Sequence, residues 1–195
     1  PQTATARLRG GNADATTRQL SAGKDAFIGK YTSQGGKFSI DVAREGADVL
    51  VKVTGASAHG SRPEEGVNPL PRLALFLKES GLVLPPNGYA QAVRYLTDLY
   101  GTDYLGRTMG LAYSDDFMGP LTMSPNLIRE KDGKVDVLVN VRMPRGNTPE
   151  ALAKATTERI KAWGTQAGVA VEVDHNQGNW MARDPKGAWL ATLLN

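Results

Sequence analysis

The sequence predicts an α+β fold made of two related units, each an antiparallel hairpin followed by a loop and a helix. Two observations carry this. Apolar residues alternate with period two in KFSIDVA and DVLVKVTG, joined at Glu45-Gly46, and again in NLIREKDGKVDVLVNVR around Asp132-Gly133. In addition, DVLVKV at Asp48 to Val53 returns as DVLVNV at Asp136 to Val141. Each copy is the second arm of its hairpin, and each leads through a polar, Gly- and Pro-containing loop into a helix opened by Asn68-Pro69 or Thr148-Pro149. The shared order, more than the six matching letters, relates the two units.

The elements follow in turn. Ala4 to Leu8 reads as a short strand stopped by Gly10-Gly11. Asp14 to Tyr31, with Leu20, Phe27, Ile28 and Tyr31, reads as one or two short helices interrupted near Gly23. After the first hairpin and the loop ASAHGSRPEEGV, a helix starts with Asn68 as cap and Pro69 in its first turn, buries Leu70, Leu73, Ala74 and Leu77, and ends before Gly81. Asn87 caps another helix to Tyr100, with Val93, Leu96 and Tyr100 inward and Gly101 as terminator. Residues 101–125 show little period. Thr148-Pro149-Glu150 opens a helix to about Ala167 with Leu152, Ala155, Ile160 and Trp163 inward; GVAVEVD is a closing strand, and Asp184-Pro185 starts a last helix.

Composition narrows the function. In 195 residues, 41% are hydrophobic and 22% charged, an ordinary globular balance. The net charge of +3 comes from interspersed acids and bases, which argues against a nucleic-acid surface. The absence of cysteine excludes disulfides, thiol catalysis and cysteine-ligated metal sites. No apolar run approaches the ~18 residues of a membrane span. The chain starts at Pro1 with no charged-then-apolar leader, and it starts and stops in mid-pattern, so the expectation is a piece of something longer.

Few residues offer chemistry. The two histidines, His59 and His175, fall short of the three protein ligands of a catalytic zinc, and His59 has no metal-ligating neighbour at helical or hairpin spacing. No serine sits in a nucleophile elbow. Asp115-Asp116 and Glu64-Glu65 read as solvated pairs. His59, in SAHGSRP, has small residues on both sides; it is either a bland surface residue or an imidazole that another molecule approaches closely. Arg142 ends an apolar strand just before Met143-Pro144; it either grips a carboxylate bidentately or pairs with a local acid.

GASAHGSRPEEGVNPLPRLALFL closely resembles the G-x-x-AHGS-x-P-x-x-G-x-N-A segment of the M20 metallopeptidases, best in their PepV-like or Xaa-His dipeptidase branch. PQTATARLRG looks like the lid entry of that branch, LGLAYSDDFMGPLTMSPNLI like its Asp-x-x-Met-Gly-x-Leu-Thr segment, and VLVNVRMPRGNTPE like its N-x-R-x-P-x-G element. GNWMARDPKGAWLATLLN resembles the return into the catalytic domain. The one departure, Pro69 for the usual Ala, suits a helix start.

The resemblance implies a lid domain with two related ferredoxin-like subdomains, antiparallel sheets with helices packed on one face. Residues 1–83 would be lid subdomain 1, 84–120 a connecting helix and loop, 121–183 lid subdomain 2, and 184–195 the start of the return into the catalytic domain. Such enzymes carry two zinc ions on H-x-D, Glu-Glu and other elements of the catalytic domain; this chain has no H-x-D and its Glu64-Glu65 falls in the lid-like AHGS segment, so no metal is expected on the lid itself. His59 matches the lid histidine that donates a hydrogen bond to the oxyanion, and Arg142 the arginine that binds the substrate's terminal carboxylate. A further substrate-touching Asn is implied just before Pro1. The partners implied are a dipeptide and the enzyme's own catalytic domain, with neither nucleic acid nor membrane, in the cytoplasm rather than the periplasm or outside the cell. The alternatives are a non-catalytic α+β ligand-binding or dimerisation module, and the lid of an M20 amidohydrolase acting on acyl amino acids.

Overall fold

The computed structural model describes residues 1–33, 36–59, 62–176 and 178–179. The expected return segment 184–195, with the helix at Asp184-Pro185, lies outside the described residues. The architecture is α+β, with antiparallel sheets and helices in two ferredoxin-like subdomains.

In the first, β1 (Thr3–Leu8), α1 (Ala13–Thr32), β2 (Ser39–Glu45) and β3 (Asp48–Thr54) form a sheet of order β1-β3-β2. Register places Val51 between Ala6 and Val42, and Val53 between Ala4 and Ile40. Side chains alternate across a strand, so these residues share one face. That face is buried beneath Leu20, Phe27 and Tyr31 of α1 and Leu73, Phe76 and Leu77 of α2 (Pro69–Glu79). The turn between β2 and β3 is Gly46-Ala47, and only its first residue has positive φ, 63°.

α1 is one 20-residue helix, unbroken at Gly23. A mid-helix glycine costs about 1 kcal/mol relative to alanine. Burial of Leu20 on one side of Gly23 and of Phe27 and Tyr31 on the other outweighs that cost.

The second subdomain is built from β6 (Thr122–Lys131), β7 (Lys134–Arg142) and α4 (Pro149–Ala167), with α3 (Gly88–Leu99) of the preceding segment packed into the same core and a small ladder of β4 (Ser114–Asp115) and β5 (Gly119–Pro120) leading into β6. Its core holds Leu96, Tyr100, Met109, Leu121, Met123, Leu152, Ile160 and Trp163. Asp132 and Gly133 both have positive φ, 52° and 74°, the type I′ turn expected of an Asp-Gly pair. The strand before it starts at Thr122, four residues ahead of Asn126, because Pro125 is accommodated at a register shift between Pro125 and Leu127.

GVAVEVD does not pair as a strand. Val169, Val171 and Val173 are partly buried against the second core while Ala170, Glu172 and Asp174 face water, so the alternation holds without a ladder. Gly164 of α4 lets this segment close in, since a Cβ there would lie 2.8 Å from the Val169 carbonyl oxygen. β3 and β7 are each the second arm of a hairpin leading to a helix, but β3 is paired on both sides and β7, among the described residues, on one. Val49, Val51 and Val53 are accordingly buried, while their counterparts Val137, Val139 and Val141 are not fully so.

The subdomains meet through α2. Its Leu73, Phe76 and Leu77 face the first core, its Ala74 belongs to the second, and Leu70 and Val93 touch both. Asp98 of α3 accepts from Lys78 Nζ of α2 (2.7 Å) and from Trp163 Nε1 of α4 (3.1 Å). No helix among the described residues is long and apolar enough to cross a membrane.

Candidate functional site

His59 lies on the excursion between β3 and α2, whose base is tightly closed. Gly55 N–H donates to the Gln2 carbonyl (2.9 Å), and Ala56 and Val67 exchange two backbone hydrogen bonds of 3.1 and 2.8 Å. Two glycines make this closure possible. A Cβ on Gly55 would sit 2.0 Å from the Val67 carbonyl oxygen, and one on Gly66 2.6 Å from that of Ala56. Further out, Arg62 N–H donates to the His59 carbonyl (2.8 Å), and Pro63–Glu65 form a 3₁₀ turn. Glu65 pairs with Arg62 at 2.8 Å and holds its guanidinium above its ordinary value. The His59 side chain is exposed; Gly60 and Ser61 lie outside the described residues.

Asn68 ends the excursion and serves two elements. Its Oδ1 accepts from Leu70 N–H (3.1 Å), capping α2 as its place before Pro69 predicts. Its Nδ2 donates to Ser124 Oγ (3.1 Å) and to the Pro125 carbonyl (2.7 Å) on β6. Across the hairpin Ser124 faces Asn140, and Thr122 faces Arg142. Ser124, Asn140 and Arg142 therefore share one face, opposite that of the core residues Met123, Val137 and Val139. The Arg142 side chain is exposed and, among the described residues, makes no hydrogen bond or ion pair. Among the described residues Asn140 Oδ1 is buried without a hydrogen-bond partner.

The loop after Arg142 is stitched to the β4–β5 turn. Asp115 accepts from Met118 N–H (2.7 Å), Phe117 N–H (3.1 Å) and Arg145 Nη2 (3.1 Å), and Tyr113 Oη donates to the Pro144 carbonyl (3.1 Å). Asp115 is thus a paired loop organiser rather than half of a solvated pair, while Asp116 stays exposed. Phe117 stands 55% exposed with the Arg145 guanidinium 5.6 Å from its ring centroid. The Met118 N–H leads in holding the Asp115 carboxyl below its ordinary value, against desolvation and with help from Arg145 and Phe117. A depressed carboxylate stabilises the folded loop above the unfolded pKa of about 3.9 and loses that contribution as pH falls through the folded value. The Phe117 and Met118 amide resonances are therefore expected to titrate together with a midpoint below about 3.9. A midpoint at or above that value would show the stitch is absent in solution.

His175 is elsewhere: its Nε2 lies 2.8 Å from Thr157 Oγ1 of α4. Among the described residues no group of three or more His, Cys, Asp or Glu side chains could hold a metal ion. Sequence reasoning offered His59 and Arg142 as candidates and gave the cap role of Asn68, which the Leu70 N–H to Oδ1 bond bears out. It missed the second role of Asn68 and the Asp115–Arg145 pair, which span 56 and 30 residues. A cap asparagine does carry a spare amide donor, but Asn12 and Asn87 cap helices too, so the residue type alone is not diagnostic.

The proteins to which the chain is similar are dipeptidases. The chain is 31% identical to the Beta-Ala-Xaa dipeptidase of Lactobacillus delbrueckii subsp. lactis over 123 residues, 63% of this chain and 25% of that protein. It is 29% identical to a proposed dipeptidase, YtjP of Bacillus subtilis (strain 168), over 126 residues, 64% of this chain and 25% of that protein. The matched stretch thus spans about a quarter of the length of these curated relatives. No family model matches the chain.

Proposed function

We propose that this chain is the substrate-covering lid of a dipeptidase, with 1–83 and 121–183 as its two subdomains, 84–120 connecting them and 184–195 returning to a catalytic domain. The observation that carries the reading is that His59, on a loop pinned at its base, and Arg142, at the end of β7, are both exposed. An imidazole N–H in that position can donate a hydrogen bond to a peptide carbonyl as its oxygen becomes a tetrahedral oxyanion. A guanidinium can bind the terminal carboxylate through two parallel N–H donors and so orient the scissile bond. The zinc that the resemblance implies finds no ligand set among the described residues. No step assigned to this chain runs through it.

The test is a substrate panel offered to the purified full-length protein. Free dipeptides are expected to be hydrolysed, and longer peptides and N-acyl amino acids far less. Hydrolysis confined to N-acyl amino acids would replace this reading with that of an amidohydrolase lid. Binding without hydrolysis of any of them would leave a non-catalytic module.

A further inference from the structure

We propose that Asn68 is a positioning residue that fastens the His59 loop to the strand pair carrying Arg142, so that both groups meet one substrate. This rests on the roles assigned above to His59 and Arg142.

The path is short and made of direct contacts. The Ala56–Val67 bridge closes the His59 loop, and Asn68 is the next residue in the chain. Its Nδ2 grips β6 at two acceptors, Ser124 Oγ at 3.1 Å and the Pro125 carbonyl at 2.7 Å. Pro125 borders the register shift in the β6–β7 ladder, where regular pairing is interrupted and a carbonyl can be taken by a side chain. Ser124 faces Asn140, and Arg142 follows two residues later on the same face, about 7 Å along the strand. Along the chain, His59 and Arg142 are separated by α2, α3, the 101–121 segment and the β6–β7 hairpin.

The chemistry explains the residue type. Serine, threonine or aspartate would cap α2 as well as asparagine does, but none of them carries an amide NH₂ for β6. Asn68→Asp therefore separates the two roles. It keeps the acceptor for Leu70 N–H and turns the donor into an oxygen facing the Pro125 carbonyl.

The experiment is a double-mutant cycle in the full-length dipeptidase. Asn68→Asp is expected to lower kcat on the order of tenfold to a hundredfold, the scale of an ångström-sized misplacement of a catalytic group. In a His59→Ala background the same substitution should change kcat little, because the group it positions is gone. Ser124→Ala, which leaves the cap untouched, should show a smaller loss and the same disappearance, and it decides the matter if Asn68→Asp fails to fold. Equal losses in both backgrounds would overturn the proposal by showing a general structural effect, as would an unchanged kcat for Asn68→Asp. Near-normal turnover of His59→Ala alone would remove the catalytic reading of that residue, whatever Asn68 does, and the positioning role with it.

Discussion

Replacing His59 with alanine is expected to lower the turnover of the full-length protein by about 10²–10³, some 3–4 kcal/mol of transition-state stabilisation, while KM changes little. The split follows from when the charge appears. The carbonyl oxygen becomes an oxyanion only along the reaction path, so a donor aimed at it is missed in kcat more than in binding. Folding is expected to be indifferent, because His59 is exposed on a loop whose closure relies on Gly55, Ala56, Gly66 and Val67. Steady-state kinetics beside a thermal melt checks both halves. A variant with wild-type turnover, or one that loses activity only by unfolding, would contradict the assignment.

Arg142→Ala is expected to raise KM, on the order of tenfold to a hundredfold, from the 1.5–3 kcal/mol typical of hydrogen bonds to a charged group. A moderate fall in kcat accompanies it, since a substrate held less firmly at its carboxylate meets the reacting groups in poorer orientation. The informative comparison is between a dipeptide and the same dipeptide with its C-terminus amidated. Wild type should prefer the free carboxylate and the alanine variant should treat the two nearly alike. Arg142→Lys should recover part of the preference, because an ammonium restores the charge without the planar fork. If the alanine variant keeps the wild-type preference, Arg142 does not read the carboxylate.

What was legible in the sequence was mostly local. Asn68, Asn87 and Thr148 cap their helices as their positions predict, because a cap needs only the next few N–H groups. The Asp132-Gly133 turn likewise follows from two residues that tolerate positive φ. Failures arise where distant residues decide. Gly23 reads as a break until the sheet beneath α1 is known. GVAVEVD has the alternation of a strand, but alternation reports only which side chains face a core, and Val169, Val171 and Val173 satisfy it by packing. Asp115 looks solvated beside Asp116 because its cation, Arg145, arrives thirty residues later. For the proposed site, His59 and Arg142 were legible as candidates through neighbouring residues and a family resemblance. The bond that brings their elements together was not, since nothing near Asn68 in the chain announces Ser124.

The two-sided packing of α2 bears on how such a lid would move. A helix with Leu73, Phe76 and Leu77 in one core and Ala74 in the other is a party wall, and neither room can be remodelled without disturbing its neighbour. Close-packed interiors transmit displacement rather than absorb it. The hinges that let a lid open over its substrate would then lie where the chain enters and leaves these two subdomains, and the paired modules would swing as a single plate.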